Sequence, residues 1–220
     1  MTWVHDSVRK HFYEMRCFID MRKLLALIAL IIPMVCSAVT SATSVVDKTV
    51  ETIRKAPSIS SNLTINARNG VSSGTFTLAG DRFVIDTDMA STWYDGKTLW
   101  SYSRDTNEVT ITEPTADELA EINPFTFIKK ARKDYTPRLL KSSPGTYTVE
   151  LTPKSGKQEI SKAVVTVDAQ TYFIKNVALT INKHNINIIF QAMRTGKQLP
   201  DSHFRFNSKQ LPKADINDLR

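Results

Sequence analysis

Reactive side chains are scarce in this sequence. Two Cys (Cys17 and Cys36) and four His (His5, His11, His184 and His203) stand among 220 residues. That is too few for a disulfide-stapled scaffold, an iron–sulfur site or a zinc cluster. His184 and His203 are far apart and lack ligand-spaced partners, so both read as turn or surface residues. A glycine-rich phosphate loop, an H-E-x-x-H helix and a G-x-S-x-G elbow are all missing. Carboxylate pairs do occur, at Asp86/Asp88, Glu118/Glu121 and Asp215/Asp218, but nothing in their spacing brings two of them to one cleft. The residues offer no catalytic group, no metal site and no cofactor site, and the expectation is a protein that is not an enzyme.

A membrane-spanning run is missing too. The longest apolar stretch, Leu24 to Val35, has twelve residues, against about 20 for a transmembrane helix. Arg22 and Lys23 precede it and small residues follow it. This is the pattern of a signal peptide over residues 21–42, cut after Ala38 or after Ala42. Residues 1–20 are mixed and charged, unlike the start of a signal, and read as a mis-called extension ahead of Met21. Cys36 follows Pro33-Met34-Val35, and Val in the last place is a poor fit to a lipid-attachment site. Residues 43–220 are then one domain, since no Gly/Ser/Pro-rich linker and no repeat divides them. That domain has no Cys and must be held by its core, for which 41% hydrophobic and 23% charged residues are suitable. The net charge of +7 is modest. The one basic cluster, Lys129-Lys130-Ala131-Arg132-Lys133, could touch lipid headgroups or an acidic partner surface, but a solvated helix face is the better default. It lacks interleaved aromatics, which argues against a nucleic-acid partner.

What is present is a switch of period. Ser44 to Ala56 reads as an amphipathic helix capped by Ser44, with Val46, Val50 and Ile53 on one face, and Pro57 stops it. After Pro57 the period is two, with Phe76, Phe83 and Ile85 among the strand residues. Trp93 and Trp100 flank Asp95-Gly96, read as a two-residue type I′ hairpin turn. Helical spacing returns after Pro114. Thr115 caps one short helix, and Asn123-Pro124 starts another that carries Phe125 and Ile128 on one face. From Tyr135 the chain alternates again, ending on a strand with Ile186, Ile188, Phe190 and Ala192 to one side. Ten or eleven strands at regular spacing predict a mainly β protein, one strongly curved antiparallel sheet with short helices laid over its concave face.

Several of these segments resemble the LolA family of periplasmic lipoprotein carriers. The best match is the hairpin Trp93-Tyr94-Asp95-Gly96-Lys97-Thr98-Leu99-Trp100-Ser101-Tyr102. Asn107-Glu108-Val109-Thr110 and Asn123-Pro124-Phe125 follow in the family's order. The ending Phe204-Arg205-Phe206, Pro212 and Asp218-Leu219-Arg220 is similar as well. The resemblance spans roughly residues 44–220. It implies an incomplete antiparallel β-barrel whose helices form a lid over a hydrophobic cavity. It also implies a monomeric periplasmic chaperone without enzymatic activity. Such a protein takes acylated lipoproteins from an inner-membrane ABC-type release complex and passes them to an outer-membrane acceptor. Val46, Val50, Ile53, Phe76, Phe83, Ile85, Trp93, Trp100, Phe125 and Ile128 are the expected acyl-chain cavity residues, although alternation does not separate lining from filling. Two other roles go with the same fold: a LolB-like acceptor anchored through Cys36, and a lipid-sensing regulatory module. One departure stands out. Family members often place an Arg-Pro between the second and third strands, where the Arg tethers the lid. This chain has Gly80-Asp81 there, with Arg82 two places on from Gly80.

Overall fold

The computed structural model describes residues 40–156 and 158–220. The expected start extension and nearly all of the expected signal peptide lie outside the described residues. Helix α1 (Ala42–Lys55) opens the described chain. Its cap is Ser41, whose hydroxyl accepts the Ser44 amide at 3.1 Å. Ser44, expected to be the cap, is instead the residue whose amide is capped. Arg54 and Lys55 fill the last turn, where the negative end of the helix dipole favours cations.

Six strands follow as a meander: β1 (Ser58–Ala67), β2 (Gly70–Ala79), β3 (Arg82–Thr87), β4 (Ala90–Tyr94), β5 (Leu99–Ser103) and β6 (Glu108–Thr112). A second meander comprises β7 (Tyr135–Leu140), β8 (Thr146–Pro153), β9 (Ile160–Asp168), β10 (Ile174–Ile181) and β11 (His184–Gly196). The two join where β1 pairs antiparallel with β11. With β12 (Asp215–Asp218) added at one edge, one open, curled sheet results, in the order β12-β6-β5-β4-β3-β2-β1-β11-β10-β9-β8-β7. Consecutive β6 and β7 therefore lie near opposite edges, and the chain between them must cross the sheet. It does so as α2 (Ala116–Ile122) and α3 (Pro124–Asp134). Thr115 closes a capping box with Glu118, and the Asn123 side chain caps α3 with Pro124 at its first position. This topology is what lays a helical cover over the apolar face.

Three local features differ from the sequence expectation. The sheet is not wholly antiparallel, because β12 pairs parallel with β6. The Asp95-Gly96 turn is wider than two residues. Only Gly96 there takes a positive φ (104°), and the Asp95 carboxylate accepts the Lys97 and Thr98 amides at 3.0 and 2.9 Å. A side-chain turn of this kind needs only one left-handed residue. Finally, β11 carries an extra residue against β1, with Ala192 at φ 52°. This bulge reverses the alternation, so Met193 rather than Ala192 packs on the core. Gly74 marks a close approach: a Cβ there would lie 1.9 Å from the Asp86 carbonyl oxygen of β3.

The main core fills the concave face. Phe125 of α3 stacks on Phe76 of β2, with centroids 4.8 Å apart and planes 8° apart, and meets Phe190 of β11 edge-on at 5.4 Å. A second, smaller core of Tyr102, Val109 and Ile111 lies on the opposite face. The C-terminal segment covers it, running through two 3-10 turns (Asp201–Phe204 and Ser208–Gln210) into β12.

Candidate functional site

Seven of the ten expected cavity residues meet in the main core: Val46, Val50 and Ile53 from α1, Phe76 and Phe83 from the sheet, and Phe125 and Ile128 from α3. Ile85 is half-buried and packs against them. Trp93 and Trp100 do not join them. They are cross-strand partners on the outer face, packed with Phe206, Leu211 and Ala214 of the C-terminal segment. Tyr94 and Leu99 take the inward positions of that hairpin. Adjacent aromatic residues at 93 and 94 leave the parity of this strand ambiguous in sequence.

The space between helices and sheet is packed. Between α1 and strands β8 and β9 there is a void of about 10 Å³ walled by Val45, Val46, Ile128, Leu151 and Val165. That is no larger than a single water requires. Thr49 also faces it. The residue is 1% exposed, and its hydroxyl has no hydrogen-bond partner among the described residues. A buried hydroxyl left unpaired costs roughly 1–3 kcal/mol.

Outside this void lies an open groove of about 420 Å³ between α1, the end of α3 and the edge strand β7. Val46 and Leu151 line both spaces, so one layer of side chains separates them. Ala131, Tyr135 and Pro137 complete the apolar part of the groove. Arg132, Lys133 and Lys154 supply its cations. Lys154 donates to the Lys133 carbonyl at 2.8 Å, which holds the two lysines together.

The cover is fastened at its exposed margins. Lys129 of α3 reaches the β2–β3 turn, 2.7 Å from the Asp81 carboxylate and 3.2 Å from the Gly80 carbonyl. Arg132 pairs with Asp47 of α1 at 2.6 Å, and Lys48 donates to the Tyr172 hydroxyl at 3.2 Å. Lys130 pairs with Asp117 of α2. Arg82 serves elsewhere. It points to the outer face, pairs with Asp201 and lies 4.6 Å from the centre of the Phe204 ring. At Gly80-Asp81 the fastening thus runs with its polarity reversed, from a cation on the helix to acceptors on the turn.

A further hollow of about 390 Å³ beside α2 gathers Asp117, Glu118, Glu121 and Glu159 with Lys130. Burial pushes the Glu121 carboxyl up, and Glu159, Glu118 and Asp117 add to the shift. Burial also raises the Tyr135 phenol to about 12. Its hydroxyl donates to the Ile160 carbonyl at 2.9 Å, so Tyr135 serves as a neutral strut at physiological pH. Sequence reasoning missed Thr49 and Lys154 as functional candidates, and it took the basic run from Lys129 to Lys133 as a solvated face ahead of a contact to lipid headgroups or an acidic partner. Thr49 carried a signal of its own, a polar residue inside the apolar stripe of α1.

Among the described residues, no helix is long and apolar enough to cross a membrane. No curated protein matches the sequence. Solved structures share its chain path. An uncharacterized conserved protein from Thermus thermophilus superposes with a TM-score of 0.55 at 9% identity, covering 80% of this chain and 98% of its own. A putative outer membrane lipoprotein-sorting protein domain from Vibrio parahaemolyticus gives 0.45 at 10% identity, over 78% and 98%. A LolA superfamily protein from Nitrosomonas europaea gives 0.41 at 12%, over 76% and 98%. At 9% identity the likeness to the Thermus protein is one of fold. The family model described as outer membrane lipoprotein carrier protein LolA matches residues 34–183. With two thirds of the sequence matched, and a helix-covered open sheet beneath it, this chain belongs to the LolA family.

Proposed function

We propose that this protein is a periplasmic carrier that shields the acyl chains of lipoproteins between its helices and its sheet. The observation that carries the reading is the way the cover is held. An apolar interior lies under helices whose fastenings are ion pairs at exposed margins: Asp81 is 82% and Asp47 44% exposed at the side chain. Such pairs contribute about 0–1 kcal/mol each. An acyl chain gains about 0.8 kcal/mol for each CH₂ it buries. A few methylenes therefore outweigh the ion pairs, and acyl burial replaces the apolar contacts that α1 and α3 give up when the cover opens. The packed interior is then the unloaded state, and α1 and α3 must move outward to make room.

In this role the protein is made with a signal peptide over residues 21–42 and works as a monomer without bond chemistry. It receives lipoproteins from an inner-membrane ABC-type complex and gives them to an outer-membrane acceptor. Family membership supports that assignment. The test is binding of a synthetic triacylated lipopeptide by the purified mature protein, read by native mass spectrometry. A one-to-one complex is expected. Failure to bind, with no acyl chains on protein purified from its host, would overturn the carrier role.

A further inference from the structure

Three observations converge on the groove between α1 and β7. Its floor is apolar, and Val46 and Leu151 separate it from the inner void by one layer of side chains. Its rim is cationic: Arg132, Lys133 and Lys154 face it, with Asp47 as the acidic residue among those lining it. One turn along α1 from Val46, the Thr49 hydroxyl is buried and unpaired in an otherwise apolar surrounding. An unpaired buried donor is expected to be rare unless something fills it.

On the premise that the protein carries acyl chains, we propose that this groove is a headgroup subsite for an anionic, ester-linked acyl lipid, a phospholipid bearing one net negative charge. The phosphate oxygens accept from Lys133 and Lys154 and compete with the Asp47 carboxylate for Arg132. The chain passes between Val46 and Leu151 into the interior, displacing α1 from β8. The ester carbonyl accepts the hydrogen bond that Thr49 Oγ1 has no partner for. Cations in the groove, the Thr49 hydroxyl one side-chain layer further in and the apolar interior beyond it then fall in the order in which a phospholipid presents phosphate, ester and chain. Exchange of Arg132 from Asp47 to phosphate also removes the tie between α1 and α3, so binding of the head favours the opening that the chain needs.

The experiment presents the mature protein with vesicles of equal parts phosphatidylglycerol and phosphatidylcholine. Lipid that stays with the protein is recovered after vesicles are removed. Phosphatidylglycerol is expected in excess, roughly thirtyfold at low salt for two lysines that have no carboxylate partner among the described residues. In Lys133→Gln/Lys154→Gln that ratio falls toward one. Thr49→Val is expected to lower recovery of phosphatidylglycerol several-fold and to leave its dialkyl ether analogue untouched. Thr49→Ser restores the ester-linked lipid. A purely packing role for Thr49 would move ester and ether alike, and that result would overturn its assignment. Equal recovery of both lipids by the wild-type chain, with the triacylated lipopeptide still bound, would overturn the headgroup subsite and spare the carrier role. If neither lipid nor lipopeptide binds, the carrier role fails and the subsite with it.

Discussion

At the residue scale, an unpaired hydroxyl is the sharpest statement this structure makes. Thr49 sits in the seam between α1 and the sheet with no hydrogen-bond partner among the described residues. Val has nearly the same shape and no polar atom, so Thr49→Val is expected to stabilise the unloaded protein by about 1 kcal/mol. Urea unfolding monitored by circular dichroism checks this, and a destabilised variant would mean that Thr49 has an uncounted partner. Asp168 makes the opposite case. The Thr171 amide and then the Lys175 ammonium hold its carboxyl well below the ordinary range in the β9–β10 turn. Because its folded pKa is depressed, the stability it contributes is present above the unfolded value near 4 and is lost as pH falls below it. Asp168→Asn is expected to flatten the urea midpoint against pH in that acid window while changing little of its remaining course. The aliphatic and aromatic residues of the core are readable from sequence, since Val46, Val50, Phe76 and Phe125 need only the right period. Thr49 and Lys154 are not. Their significance depends on which neighbours leave them without a partner, and that is fixed only when distant segments meet.

Elements tell a similar story with a different boundary. Both lid helices are legible from caps and proline. Thr115 with Glu118 and Asn123 with Pro124 satisfy orphan backbone donors locally, whatever lies beyond. The bulge at Ala192 and the wide Asp95 turn are not legible, because alternation gives no sign of an extra residue in one strand. How the lid is held is equally hidden. The basic run from Lys129 to Lys133 reads in sequence as a solvated face, yet Lys129, Lys130 and Arg132 each have a specific partner. If those partners hold the lid shut, Lys129→Ala/Arg132→Ala is expected to quicken hydrogen exchange in α2 and α3 several-fold. Global stability should fall by less than about 2 kcal/mol, the sum of two exposed pairs. The same variant should take up lipopeptide faster. Unchanged exchange in both helices would show that Phe125 and its stacking partners alone set the opening.

On the scale of the whole molecule, the sheet is a wall shared by two layers. The helices and the main core lie on one side of it. On the other, Phe206 of the C-terminal segment packs against Trp93, and Trp93 and Trp100 lie half-buried on the outer core. These tryptophans are expected to report on the outer layer and not on cargo. Their emission should stay constant when lipopeptide binds and move to the red in Phe206→Ala, and a large shift on loading would place them in the path of the ligand after all. The outer layer is also lopsided. Arg82 with Asp201, Arg205 with Asp95 and β12 along β6 all brace strands β3 to β6. Strands β7 and β8, at the far edge, carry no such backing from the C-terminal segment, and β7 ends the sheet with Pro137 in its middle. Mechanically the protein resembles a clamshell with one plated half and one pliant half. If the protein carries acyl chains as proposed, a load that swells the interior strains the less braced side, and the seam that yields is the one beside α1. Loading and unloading would then share one gate with a fixed heading, and a membrane partner handling the cargo would have to meet the molecule from that side.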